Sequence, residues 1–68
     1  MKTFIAAKRT MSANNSQVTS IKFKTELEAE TQAQKWFEEL IEQGYVITNL
    51  SLGRISKNGE DVYIYVLN

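Results

Sequence analysis

The sequence predicts an α+β domain of order ββαββ, in which a four-stranded, mainly antiparallel sheet carries one helix across one face. Three observations predict it. The stretch from Thr25 to Gly44 holds a helix start, an apolar stripe and a helix stop. Two strand-like runs separated by a turn-rich Ser12-Ala13-Asn14-Asn15-Ser16 precede it, and two more flank Lys57-Asn58-Gly59 after it. The chain of 68 residues makes one domain with one modest core, and it has no cysteine or histidine for a disulfide or the common zinc sites. Side-chain packing or self-association must therefore hold it together.

The first strand is expected over about residues 2–9 and the second over about 17–24. Alternation in the second places Thr19, Ile21 and Phe23 on one face and Val18, Ser20, Lys22 and Lys24 on the other, with the lysines marking solvent. The first strand has Phe4 and Ile5 on opposite faces, which leaves its orientation open. Its opening residues resemble the start of a secretory signal. The apolar run from Phe4 to Ala7 nevertheless ends at Lys8, short of an h-region, and no stretch approaches the ~20 apolar residues of a membrane span. A cytoplasmic protein without a membrane partner is expected.

The helix is expected over about residues 26–43. Thr25 is its N-cap, and Glu28, three residues on, completes a capping box. At 3.6 residues per turn, Ala29, Ala33, Trp36, Phe37 and Leu40 form one stripe with Ile41 at its margin, whereas Leu27 falls outside. Gly44 supplies the left-handed residue that ends the helix. The opposite face carries Glu38, Glu39 and Glu42 near the negative end of the helix dipole, which disfavours anions by about 0.3–1 kcal/mol each. These carboxylates are either a solvated face that keeps the protein soluble or a docking surface for a basic partner.

The last two strands are expected over about residues 45–56 and 60–67. Two registers compete at Lys57-Asn58-Gly59. A two-residue Asn-Gly turn pairs Lys57 with Glu60 and sets Gly53 opposite Ile64. A three-residue loop pairs Ser56 with Glu60 instead and gathers Val46, Leu50, Leu52, Val62, Ile64 and Val66 on one apolar face. The continuity of that face selects the second register, which also sets Tyr63 opposite Gly53 and Tyr65 opposite Ser51. The helix should cover the apolar side. Left open on the other side would be Tyr63, Tyr65, Leu67, Ile47, Tyr45, Lys22 and Lys24.

Charge sharpens the search for a site. The net charge is zero, yet residues 1–24 hold Lys2, Lys8, Arg9, Lys22 and Lys24 with no acid, and residues 25–43 hold six glutamates against Lys35. The molecule is electrically two-sided if hairpin and helix face apart. Catalysis is not expected. A nucleophilic Ser or Thr lacks a histidine base, Glu38-Glu39 and Glu60-Asp61 fall on a helix face and beside a turn, and Gly44, Gly53 and Gly59 form no phosphate loop. No cofactor or metal is expected either. Binding readings remain: docking on a larger protein through the open sheet face or the helix carboxylates, single-stranded nucleic-acid binding by Tyr63, Tyr65, Lys22, Lys24 and Arg54, or homodimerisation through the open face. Zero net charge weighs against nucleic acid.

The layout as a whole, with its short first strand from Met1-Lys2, the Lys-flanked second strand, a helix ending Phe37 to Tyr45 and a hairpin over Lys57-Asn58-Gly59, resembles small phage and prophage proteins that disable host defence complexes, anti-CRISPR proteins among them. It is also similar to short bacterial proteins in which a helix ends L-x-x-x-G-[WY] before a hairpin, matched here by Leu40, Gly44 and Tyr45. The resemblance implies a stoichiometric inhibitor that covers a functional surface of a larger host protein or complex, without cofactor or chemistry.

Overall fold

A computed structural model describes residues 2–68. The first hairpin consists of β1 (Phe4–Ser12) and β2 (Asn15–Phe23), and both strands run deeper into the turn than expected, so that Ser12 pairs with Asn15. Helix α1 (Glu26–Glu42) follows, and then β3 (Val46–Asn49), β4 (Arg54–Lys57) and β5 (Glu60–Leu67). The strands form one antiparallel sheet of order β2-β1-β5-β4-β3. The α+β class holds, with five strands rather than four. Leaving β2 at one edge and re-entering as β3 at the other, the chain carries α1 across a single face.

The extra strand comes from residues 45–56, which fold back as a hairpin instead of running straight. The Asn49 side-chain oxygen accepts the Leu52 N–H at 3.1 Å, the Gly53 N–H reaches Leu50 O at 3.1 Å, and Gly53 takes φ +65°. A short polar side chain bonding the backbone three residues on is a turn device, and glycine supplies the left-handed step. The register at the last hairpin also differs from the one chosen above. Lys57 pairs with Glu60 across a two-residue turn with Asn58 at φ 50° and Gly59 at φ 81°. Two successive left-handed residues match the natural twist of a hairpin, and Asn-Gly is the pair that adopts them at least cost. Local turn chemistry thus overrides the pattern of apolar residues. Ile55, opposite Val62, takes the core position, while Val46, Leu50 and Leu52 are 65%, 76% and 57% exposed.

The helix follows its sequence signals. The Thr25 hydroxyl accepts the Glu28 N–H at 3.2 Å and donates to the Glu28 carboxylate at 2.9 Å. At the other end the Tyr45 N–H bonds Leu40 O and the Gly44 N–H bonds Ile41 O, both at 3.0 Å, with Gly44 at φ 99°. That is the Schellman arrangement, which satisfies carbonyls the helix cannot pair itself. No basic residue lies in the last turn, but Lys57 of β4 brings its ammonium to 2.5 Å from Gln43 O. A cation from another element thus offsets the unfavourable dipole end.

Ala6, Ala29, Trp36, Ile55, Val62 and Ile64 form the buried core, and Phe4, Phe23, Phe37, Leu40 and Val66 pack around it. The orientation of β1 follows: Phe4 and Ala6 face the helix, so Ile5, Ala7 and Arg9 face away. Alanines at the start of α1 and in β1 share the core with Trp36, and Lys8 places its ammonium 5.3 Å from the centre of the Trp36 ring. Leu27 stays outside, as its place off the stripe predicts.

Candidate interaction face

The sheet face turned away from α1 is built from alternate residues of four strands. Strand β5, at the centre, contributes Tyr63, Tyr65 and Leu67; β1 contributes Ala7, Arg9 and Met11. Tyr63 pairs with Arg9 on one side and with Arg54 on the other, so a half-buried ring lies in the row between two guanidinium groups. Arg54 is held there by its Nε, which donates to Thr48 Oγ1 at 3.0 Å. Ala7 is only 3% exposed although no helix lies above it. Its cross-strand neighbours are Ser20 and Tyr65, and of these only Tyr65 is large enough to shield it.

Beside the tyrosines lies an open groove of about 500 Å³, bounded by Arg9 and Met11 of β1 and by Ser51 and Leu52 of the turn between β3 and β4, with Leu67 at its end. The turn that splits the expected long strand therefore forms one wall. Its floor is amphipathic, and its cations are Arg9 within the groove and Arg54 next to Tyr63. Asp61, the carboxylate on this face, accepts the Ser56 hydroxyl at 2.5 Å.

Of the residues expected on the open face, Tyr63, Tyr65, Leu67 and Lys22 are there. Lys24 lies past the end of β2, near Lys2 and Lys22 around a separate depression. Tyr45 and Ile47 are not on this face. Ile47 pairs with the core residue Ile55 and so faces the helix side, and Tyr45 packs against the core. Their misplacement has the same cause as the extra strand, since phase cannot be carried through a turn read as a strand. Glu38, Glu39 and Glu42 are exposed on α1, on the opposite side of the molecule from Arg9 and Arg54. The two-sided charge read from the sequence is realised only in part, since Arg9 and Lys22 lie on the open face while Lys8 stands over Trp36 on the helix side. Arg9, Met11, Ser51 and Leu52 had no sequence signal of a site; Arg9 becomes legible only once β1 is oriented.

On the helix side a polar cluster joins the helix end to the last hairpin. The Tyr45 hydroxyl donates to Glu60, and the Lys57 ammonium lies 5.8 Å from the Tyr45 ring centre. The hydrogen bond to Glu60, followed by burial and the glutamate charge, raises the Tyr45 pKa above its ordinary value of 10.0. A raised folded-state pKa contributes stability that is complete below the unfolded value and is lost as pH rises through the folded one. Thermal melts should therefore lose stability above about pH 10. Replacing Glu60 by Ala should flatten that loss, because it removes both the hydrogen-bond acceptor that holds the Tyr45 proton and the charge that opposes the phenolate. An equally steep decline in the Ala variant would exclude the pair as its source.

Comparison of the chain with protein-family models, curated proteins and solved structures found no match. Among the described residues, no helix is long and apolar enough to cross a membrane, and no three carboxylates converge as a metal site requires.

Proposed function

We propose that the chain is a non-catalytic binding module that docks on a larger protein through its open sheet face. The observation that carries this reading is Tyr63, set between Arg9 and Arg54 beside a groove with apolar walls from Met11, Leu52 and Leu67. Tyrosine and arginine are among the residue types that dominate binding energy at interfaces, and an open groove with apolar walls gives a partner side chain somewhere to insert. The fitting partner surface presents an apolar side chain flanked by carboxylates. Stoichiometric capture of a host complex, the mode of the phage inhibitors whose layout the chain resembles, suits so small a surface. A second reading shares the same feature: tyrosines on the central strand of an open sheet, with arginines on both neighbouring strands, can stack bases and follow phosphates of a single strand.

The test is affinity capture from bacterial lysate with and without nuclease, repeated with Tyr63→Ala, Arg54→Ala and the triple change of Glu38, Glu39 and Glu42 to Gln. A stoichiometric protein that survives nuclease, and whose affinity falls roughly 30-fold with Tyr63→Ala while the helix variant is unaffected, supports the proposal. Recovery of nucleic acid alone, lost on nuclease treatment, replaces it with the second reading. Loss of the partner only in the glutamine variant moves the site to the helix.

A further inference from the structure

The two edges of the sheet are protected very differently. Strand β3 is four residues long, and its register shifts between Ile47 and Asn49. Strand β2 runs nine residues in unbroken register against β1 and is uncharged from Asn15 to Ile21. Exposed edges in sheets are ordinarily blunted by charge, proline, a bulge or brevity, and the β3 edge has two of these. The β2 edge has none before Lys22. Helix α1 packs mainly over β1 and β5, so nothing among the described residues overhangs the outer side of β2, and Val18 and Ile21 are exposed on its two faces.

Hydrogen-bond phase says which groups are free. A two-residue loop makes Ser12 and Asn15 a hydrogen-bonded pair, and alternation along the ladder sends the N–H and C=O of Gln17, Thr19, Ile21 and Phe23 to β1. The groups of Ser16, Val18, Ser20 and Lys22 therefore point outward. The same phase, carried across β1 and β5, directs the Ile64 N–H toward β4, where it bonds Gly53 O at 3.0 Å.

We infer that the outer edge of β2 is a self-association site, at which a second copy of this chain adds its β2 in antiparallel orientation about a two-fold axis at Thr19. In that register Ser16 pairs with Lys22 of the second copy and Val18 with Ser20, so all eight outward backbone groups of each copy are satisfied. Shifting the axis to Val18 or Ser20 moves a pair off the end of the regular strand. Like charges stay apart, since the two Lys22 side chains are separated by six residues, roughly 20 Å, beyond the reach of screened repulsion. Once β2 is covered, only the short, bulged β3 edges remain, and assembly closes at two copies. The two open faces then join into one surface on a ten-stranded sheet. The site is separate from the groove and does not rest on its occupant.

Thr19 facing itself provides the register test, because the chain has no cysteine of its own. In a non-hydrogen-bonded antiparallel pair the Cα atoms are about 4.5 Å apart, within disulfide range, whereas Gln17 faces Ile21 and lies too far from its own copy. Under mild oxidation Thr19→Cys should cross-link at least tenfold faster than Gln17→Cys. Sedimentation equilibrium of the unaltered chain should show mass rising from 7.8 kDa toward twice that value with concentration. Ser20→Pro removes an outward N–H and no bond to β1, so it should weaken the dimer at least tenfold while leaving the circular dichroism spectrum unchanged. A chain that stays monomeric to about 1 mM, assemblies that grow beyond two copies, or equal cross-linking of the two cysteine variants would each overturn the inference.

Discussion

Gly53→Ala is expected to destabilise the protein by about 3 kcal/mol or more, the largest effect of any single methyl group added to this chain. A Cβ at Gly53 would stand 2.2 Å from the Ile64 carbonyl oxygen, which is backbone in the central strand and cannot rotate away. The residue is also at φ +65°, where an L side chain costs roughly 1–2 kcal/mol before any clash. Gly59→Ala separates the two contributions, because Gly59 is also left-handed at φ 81° but its added Cβ would meet nothing within 4 Å. Urea denaturation of both variants is the measurement. A loss at Gly53 no greater than at Gly59 would show that β4 and β5 do not approach as described. A chain of this length has about 3–10 kcal/mol of total stability, so the loss at Gly53 removes roughly a third of it at the upper end of that range and all of it at the lower end.

Trp36→Ala should cost about 3–5 kcal/mol, because the indole is the largest side chain among the buried residues and its loss leaves a cavity that the surrounding core fills only in part. Its core companions Ala6 and Ala29 are already as small as a side chain can be, and Ile55 and Val62 are fixed by the sheet. The Lys8 ammonium over the ring would lose a further contribution of roughly 0.5–1 kcal/mol. Far-UV circular dichroism in urea reads this without the tryptophan signal, and Lys8→Gln measures the cation's share separately. A change below 1 kcal/mol in the alanine variant would place Trp36 outside the core.

The helix was legible to within one residue at its C-terminal end, Glu42 where 43 was expected. Thr25, Glu28 and Gly44 state its ends through hydrogen bonds made within a few positions, and the stripe from Ala29 to Leu40 states its buried side, so no distant information is needed. The last hairpin was half legible. Asn58-Gly59 names its turn, but the appeal of a continuous apolar face from Val46 to Val66 argued for the wrong register. Leu50 and Leu52 were the misleading residues. Their apolarity resembles a strand, while Asn49 and Gly53 on either side specify a turn, and backbone geometry prevailed over side-chain pattern. The orientation of β1 depended on which of Phe4 and Ile5 meets the helix, a tertiary choice the strand itself does not contain. The tyrosines of the open face were recoverable from β5 alone because the alternation Val62, Tyr63, Ile64, Tyr65 is unambiguous. Arg9 and Leu52 come to that face from elements far away in the chain, so only the folded sheet brings them together.

The position of β5 at the middle of the sheet governs the order of events during folding. The β1–β2 hairpin and the helix precede it in the chain, yet β1 and β4 each keep one unpaired side until β5 inserts between them. The decisive contacts therefore join the beginning of the described chain to its end, a long-range closure of the kind that slows folding relative to local hairpins and helices. During synthesis at about 5–20 residues per second, the first hairpin is displayed for several seconds with both edges bare before its permanent neighbour exists. Loss of the final strand would bare one edge of β1 and one of β4 and leave two halves rather than a smaller fold.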